Sequence, residues 1–234
     1  MVVIFDLDGT LYRTHETSLP VFRELCGRYG IALDTENERF VMYTTTETFL
    51  RKYAPAMPAE QRAAFRSELE RGELAAVQAS GRLFDGVPEM LASLSREGIG
   101  LAICGMARQE YIEAVLNRCG VGQYFTAVRH GVDGVAKTHI LKSLLSDLGL
   151  DADQCLMVGD SVTDLVAARD NGVPFLGVGY GYGASGLSEA GELARDVTEL
   201  VARIHQAIDN NDDGTLSIVD DHRPAGVARH SGPR

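Results

Sequence analysis

No Cys-x-x-Cys pair occurs in this chain, and its four cysteines (Cys26, Cys104, Cys119 and Cys155) are widely spaced. They read as reduced, mostly buried thiols of a cytosolic protein rather than as a disulfide framework. The six histidines show no metal-ligand spacing. No apolar run is long enough to span a membrane, and no basic-then-apolar leader precedes the first expected strand, so a cytoplasmic, membrane-free protein is expected. Positive charge is also scarce: 22 Lys and Arg face 33 Asp and Glu, for a formal net charge of -11 and a pI near 5.0. That balance argues against nucleic acid or an anionic membrane surface as the main partner, while leaving room for a local basic pocket that takes an anion. Internal repeats are absent. What is present is ample apolar material, 45% of 234 residues, enough for one large domain or for one domain carrying a smaller insertion.

Short continuous apolar runs occur at Val2 to Phe5, Leu101 to Cys104, Cys155 to Val158 and Phe175 to Val178, with a weaker one near Tyr124 to Val128. Such runs fit strands buried on both faces. Between them lie "GVPEMLASLSREG", "RQEYIEAVLNRCG", "KTHILKSLLSDLG" and "SVTDLVAARDNG", each a helical pattern closed by a glycine. Strands alternating with helices predict an α/β fold, a doubly wound, Rossmann-like parallel sheet covered on both faces. Residues 15–81 break the alternation. "LPVFRELCGRYG", "TENERFVMYTTTETFLRKY" and "PAEQRAAFRSELERGELAAVQAS" read as helices with no strand among them. They form an expected α-helical cap inserted into a core made of 1–14 and 82–208. An insertion leaving from the carboxyl edge of a parallel sheet is placed to act as a lid. Residues 209–234, polar and interrupted by Gly and Pro, are expected to be a flexible extension.

The chemistry begins where the first apolar run ends, at Asp6-Leu7-Asp8-Gly9-Thr10. Two carboxylates this close raise each other's pKa unless a cation offsets them. A carboxylate at such a strand end can attack a phosphoryl group and form an acyl phosphate. A second one, two residues on, can protonate the leaving group and then activate water. Because nucleophile and phosphate are both anionic, Mg²⁺ on carboxylate oxygens is the expected cofactor. "VGDSVTD" supplies a second carboxylate cluster after another strand, with Asp160 as a direct metal ligand and Asp164 supporting it. Lys137, at an expected helix start, can neutralise the nucleophile and the transferring phosphoryl group.

In this order and separation, "DLDGTL", Lys137 and "GDSVTD" resemble the haloacid dehalogenase-like superfamily, and within it the phosphoglycolate phosphatase-like and β-phosphoglucomutase-like branch with a helical cap. The resemblance covers roughly residues 2 to 205. It implies Asp6 as nucleophile and Asp8 as general acid/base, with Mg²⁺ held by Asp6, the Asp8 backbone carbonyl and Asp160. It also implies phosphate contacts from Thr10 and Lys137. Aspartate at position 8 favours phosphoester chemistry, because the dehalogenase and phosphonate-cleaving members lack it. One position departs from the pattern. The family places a Ser or Thr after the second strand to bind the phosphoryl group, and here that residue is Gly105. A lost hydrogen bond to a charged group costs about 1.5–3 kcal/mol, which implies activity that is weakened or retuned. The Gly105 N–H, Arg108 and Arg13 are the candidates to compensate.

The expected function is therefore a Mg²⁺-dependent phosphatase acting on a small phosphorylated metabolite, with cap residues, Arg13 and the 179–186 loop selecting it. A sugar-phosphate mutase and a weakly active or regulatory homologue stay open, as does the oligomeric state. Two further patterns are read plainly. "GYGASG" (Gly181, Gly183, Gly186) matches a dinucleotide-binding spacing but follows a late strand, and reads as a loop at the site's rim. Asp209, Asn211, Asp213, Gly214 and Asp220 match positions 1, 3, 5, 6 and 12 of a calcium-binding loop. The last position is a short Asp and no convincing helix follows, so an acidic tail is the favoured reading.

Overall fold

The computed structural model describes residues 1–42 and 44–212. Five parallel strands, β1 (Val2–Phe5), β2 (Gly100–Cys104), β3 (Ala127–Arg129), β4 (Cys155–Gly159) and β5 (Phe175–Gly177), form one sheet in the order β3-β2-β1-β4-β5. β1 is central, with Val2 opposite Gly100 on one side and Cys155 on the other. The chain winds outward through β2 and β3, then crosses back to β4 beside β1. The β1/β4 junction is thus where the winding reverses, the place at which open α/β sheets bind ligands.

Side chains of the strands alternate between two apolar layers, as a period of two requires. Val3, Phe5, Leu101, Ile103, Leu156 and Val158 pack with helices α5 (Val87–Arg96), α6 (Gln109–Cys119) and α9 (Val197–Asp212). Ile4, Ala102, Cys104, Cys155 and Met157 pack with α7 (Lys137–Leu148) and α8 (Val162–Asp170) on the other face. The fold is the doubly wound α/β class expected from the alternating runs. A separate apolar cluster lies within α1 (Thr14–Arg28), α2 (Thr35–Val41), α3 (Thr46–Tyr53) and α4 (Ala59–Ser80). There Phe22 meets Phe49 and Phe65 edge to face, with ring centroids 4.7 and 5.6 Å apart. The two connections between this helical unit and the sheet run side by side. The Arg13 N–H donates to the Arg82 carbonyl at 3.2 Å, and the Phe84 N–H to Leu11 at 3.0 Å.

Several local details differ from the sequence reading. α1 begins at Thr14, before the expected "LPVF", and runs through Pro20. The stretch expected as one helix over 35–53 is two. Thr45 adopts an extended backbone, and its hydroxyl caps α3 by accepting from the Thr48 N–H at 3.1 Å. α9 was not expected, although Val197, Leu200, Val201 and Ile204 have helical spacing and Asp196 caps it by accepting from the Glu199 N–H at 2.8 Å. It runs on to Asp212, so residues 209–212 continue a helix and do not begin the extension. Asp209 and Asn211, the first two calcium-loop positions, therefore sit on a helix. Asp213, Gly214 and Asp220 lie outside the described residues. No helix among the described residues is long and apolar enough to cross a membrane.

Candidate active site

Asp6 directly follows β1, and its N–H donates to the Val158 carbonyl at 2.8 Å, which registers it against the end of β4. Asp160 follows β4, and Asp164 lies in the first turn of α8. Lys137 is the first residue of α7. The fold brings these four together. The buried Lys137 Nζ pairs with Asp6 Oδ1 and with Asp164 Oδ1. Oxygens of Asp6, Asp160 and Asp164 lie within 4.8 Å of one another.

The local sequence explains the convergence. Asp164 Oδ2 accepts from the Ser161 N–H at 3.0 Å and from its hydroxyl at 2.7 Å, closing a capping box that fixes the start of α8. A Cβ on Gly159 would come within 2.4 Å of the Asp164 side chain, so the glycine before Asp160 makes room for the aspartate four residues after it. Asp160 Oδ2 accepts from the backbone N–H groups of Tyr182 at 2.6 Å and Gly183 at 3.2 Å. The glycine-rich loop is thus a cradle for a carboxylate, in keeping with its reading as rim and not as dinucleotide site.

Gly9 carries φ +84°, and a Cβ there would lie 2.4 Å from Asp160 Oδ2 and 2.8 Å from Tyr182. Gly9→Ala is expected to cost about 1–3 kcal/mol of stability from backbone strain, before any displacement of Asp160. Chemical denaturation of the two proteins measures it.

The electrostatics are those of too many carboxylates around one ammonium. Burial pushes the Asp6 carboxyl well above the usual range, Lys137 opposes this, and Asp164, Asp160 and Asp8 add to it. Burial, with Asp164 next, lifts Asp160 to about 6 against the pull of the Gly183 and Tyr182 N–H groups. Lys137 stays charged: the carboxylates outweigh its burial and raise its pKa. Three buried carboxylates and a single cation leave excess negative charge on a set of oxygen donors only. That donor chemistry fits a hard divalent cation.

Asp8 faces elsewhere. Its Oδ1 accepts from the Thr14 hydroxyl at 2.5 Å and the Tyr111 hydroxyl at 3.2 Å. Its carboxylate is outside the three-residue cluster, so any part in holding a cation falls to its backbone. Burial raises its pKa against those two hydrogen bonds. Sequence reasoning missed Thr14 and Tyr111. Tyr111 had the look of an ordinary apolar helix position, and Thr14 preceded the expected start of α1.

A cavity of about 760 Å³ opens over this cluster. Asp6, Asp8, Lys137 and Asp160 line it from the sheet, and Phe22, Glu47 and Glu70 from the helical unit. Thr10, Gly105 and Asp164 are not in its lining. Thr10 is fully buried, its carbonyl accepting from the Tyr180 hydroxyl at 3.0 Å. The Gly105 N–H, a candidate to replace the missing hydroxyl, is used by the Arg129 carbonyl at 2.9 Å where the sheet continues past β2. Arg13 is likewise taken. It pairs with Asp85 at 2.8 Å, sits over the Phe84 ring and is not in the cavity lining. Arg108 does line the cavity.

Comparison with known proteins now decides the family. Residues 3–178 match the model of the haloacid dehalogenase-like hydrolases. The chain belongs to that family. It is 29% identical over 187 residues to a 5'-nucleotidase of Pseudomonas aeruginosa, covering 78% of this chain and 84% of that one. It is 28% identical over 196 residues to a phosphoglycolate phosphatase of Agrobacterium fabrum, covering 77% and 81%. Among solved structures, a haloacid dehalogenase-like family protein from Streptococcus pneumoniae superposes with a TM-score of 0.76 at 19% identity, covering 87% of this chain and 97% of that one, a likeness of fold. In this haloacid dehalogenase-like hydrolase the strand-end carboxylates and the buried lysine occupy the switch point of the sheet.

Proposed function

We propose that this hydrolase is a Mg²⁺-dependent phosphatase that cleaves a small phosphomonoester through an aspartyl phosphate on Asp6. The observation that carries the reading is the buried cluster of Asp6, Asp160 and Asp164 around Lys137 at the floor of the cavity. Asp6 and Asp160, with the Asp8 carbonyl, would hold the cation, which supplies charge neutralisation between carboxylate and phosphoryl group. Lys137 orients Asp6 through Oδ1 and shares in neutralising the transferred group. An Asp6 oxygen attacks phosphorus, and the alkoxide leaving group takes the Asp8 proton. Water then attacks the aspartyl phosphate, giving its proton to Asp8 and freeing inorganic phosphate. The burial that raises Asp8 favours the protonated form that the first step needs.

Helices α1 to α4, residues 15–81 of the sequence reading, serve as the cap in this account, since their side chains complete the cavity. The core is then 1–14 together with 82–212. The four free cysteines, three of them buried, support a cytoplasmic setting. The Thr10 hydroxyl, buried without a hydrogen-bond partner near Asp8 in the sequence, stays in this reading as a phosphate contact.

The test is phosphate release from p-nitrophenyl phosphate and a panel of metabolite monoesters, with Mg²⁺ or with EDTA. Release that EDTA leaves intact would sink the metal-dependent reading. Gly105→Ser belongs in the same assay. A Cβ there meets the Ile112 Cδ1 methyl at 3.2 Å, a movable end, with Ile103 and Leu7 in ordinary contact at 3.9 Å, so the side chain is accommodated. On the family's pattern a hydroxyl at this position binds the phosphoryl group, and Gly105→Ser is expected to raise kcat/KM by about 10-fold or more; an unchanged value would leave position 105 to the apolar packing around it.

A further inference from the structure

The wall of the cavity away from Asp6 carries its own charge pattern. Among the described residues, four carboxylates, Glu47, Glu70, Glu73 and Asp133, face two guanidiniums, Arg66 and Arg108. Arg108 is already engaged, its Nε 3.4 Å from Glu70 and its Nη1 3.9 Å from Glu110. Arg66 lies within electrostatic reach of Glu47. Glu47 is also held by Arg51 at 2.9 Å. Burial lifts the Glu73 carboxyl to about 7. With the outer partners Arg51 and Glu110 counted, the described carboxylates exceed the cations by one when Glu73 is protonated and by two when it is ionised. Hydroxyls of Thr45 and Ser67 and the apolar side chains of Phe22 and Leu69 make up more of the wall. Within it, the Arg108 Nη2 is buried with no hydrogen-bond partner, a donor in want of an acceptor oxygen.

From this we infer that the cavity selects phosphomonoesters whose leaving group is uncharged and hydroxyl-bearing, such as a polyol, sugar or nucleoside phosphate, and rejects those carrying a carboxylate or a second phosphate. The inference rests on the phosphatase reading for the position of the phosphoryl group at Asp6. A hydroxyl oxygen satisfies the spare Arg108 donor without adding charge, and its proton can go to one of the surplus carboxylates. A leaving-group carboxylate meets the same wall as a like charge in a partly desolvated space, which is the repulsive half of specificity. The same surplus opposes a bisphosphorylated intermediate, so it disfavours a mutase that must hold a second phosphate there. The volume agrees: about 760 Å³ is far more than a two-carbon acid fills.

Two esters differing in one group decide it. 2-Phosphoglycolate ends in a carboxylate, and 2-hydroxyethyl phosphate ends in a hydroxymethyl group of nearly the same size. With Mg²⁺ present, kcat/KM for the hydroxyethyl ester is expected to exceed that for phosphoglycolate by about tenfold or more. Glu70→Gln removes one negative charge and frees Arg108, and is expected to narrow that ratio. Equal or better turnover of phosphoglycolate overturns the inference, as does a ratio that Glu70→Gln leaves unmoved. p-Nitrophenyl phosphate runs alongside. If no ester at all is hydrolysed, the phosphatase reading falls. The dissociation constants of the two small esters, measured by calorimetry, then still settle charge selection: weaker binding of phosphoglycolate supports it and equal binding ends it.

Discussion

Asp6→Asn is expected to lower kcat for any phosphomonoester by about 10³-fold or more while leaving the metal-free protein at least as stable as before. The first effect follows from removing the nucleophile, because an amide oxygen cannot form the aspartyl phosphate on which the two-step route depends. The second follows from the electrostatics. Burial dominates the Asp6 environment, Lys137 opposes it and Asp164, Asp160 and Asp8 add to it, so its folded pKa lies well above its unfolded value. A carboxyl shifted that way costs nothing below its unfolded pKa near 4, where it is protonated in both states. Its penalty grows as pH rises from there to the folded value and is constant above it. Replacing it by the uncharged isostere removes the penalty, and Lys137 keeps Asp164 as its partner. Thermal unfolding in EDTA at pH 8 should therefore show an increase for Asp6→Asn, about 2–4 °C for each kcal/mol relieved. At pH 4 the gain should disappear. A variant that loses both activity and stability would show instead that Asp6 is a structural partner of the lysine. Stability given up for activity is the trade expected of a site built to bind a cation and a phosphate.

How far such a site can be read from the chain depends on whether its geometry is local. Asp6, Asp160 and Asp164 were legible because each directly follows or starts a regular element, and a strand end fixes where its next residue goes. Lys137 was legible for the same reason, at the head of α7. The spacing inside "VGDSVTD" even carries its own packing logic, with Gly159 yielding space to Asp164. What failed to show were contacts made across the fold. Thr14 and Tyr111 reach Asp8 from different helices, one 6 and the other 103 residues away, and neither has a local signature. Arg13 looked like a substrate ligand because it is basic and near Asp8 in sequence, yet it pairs with Asp85. The Gly105 N–H looked available because the extent of a sheet is set by its neighbours, here Arg129 on β3. α9 had a readable apolar period within the expected core, with only its last four residues where the tail was expected, and its place against α5 came from tertiary packing. The calcium-loop spacing shows the converse: a pattern match beginning on the last turn of a helix.

Lys137 offers the sharpest separation between holding the fold and doing chemistry. It is buried, and its ammonium is the only side-chain cation paired with Asp6 and Asp164 among the described ion pairs. Lys137→Met keeps the length and apolar stem of the side chain and removes the charge. Breaking a buried pair by deleting one partner leaves the others uncompensated, at a cost of about 3–5 kcal/mol, or roughly 10 °C in Tm for a chain of this size. Asp6, already raised by burial, loses the one group that lowers it. Its folded pKa therefore climbs further above its unfolded value, and stability should fall as pH rises from about 4 through neutrality, steepening the dependence seen in the parent protein. Two additions separate the contributions. Lowering the pH to 5 should recover part of the lost Tm by protonating the crowded carboxylates. Saturating Mg²⁺ at pH 8 should recover stability as well, since a divalent cation replaces the missing charge and binding to the folded state adds stability. Turnover should not return with it, because a cation among the carboxylates does not restore the ammonium that orients Asp6. Recovery of full activity by Mg²⁺ would reduce Lys137 to a structural counter-ion. Recovery of Tm without kcat would place it in the phosphoryl-transfer step.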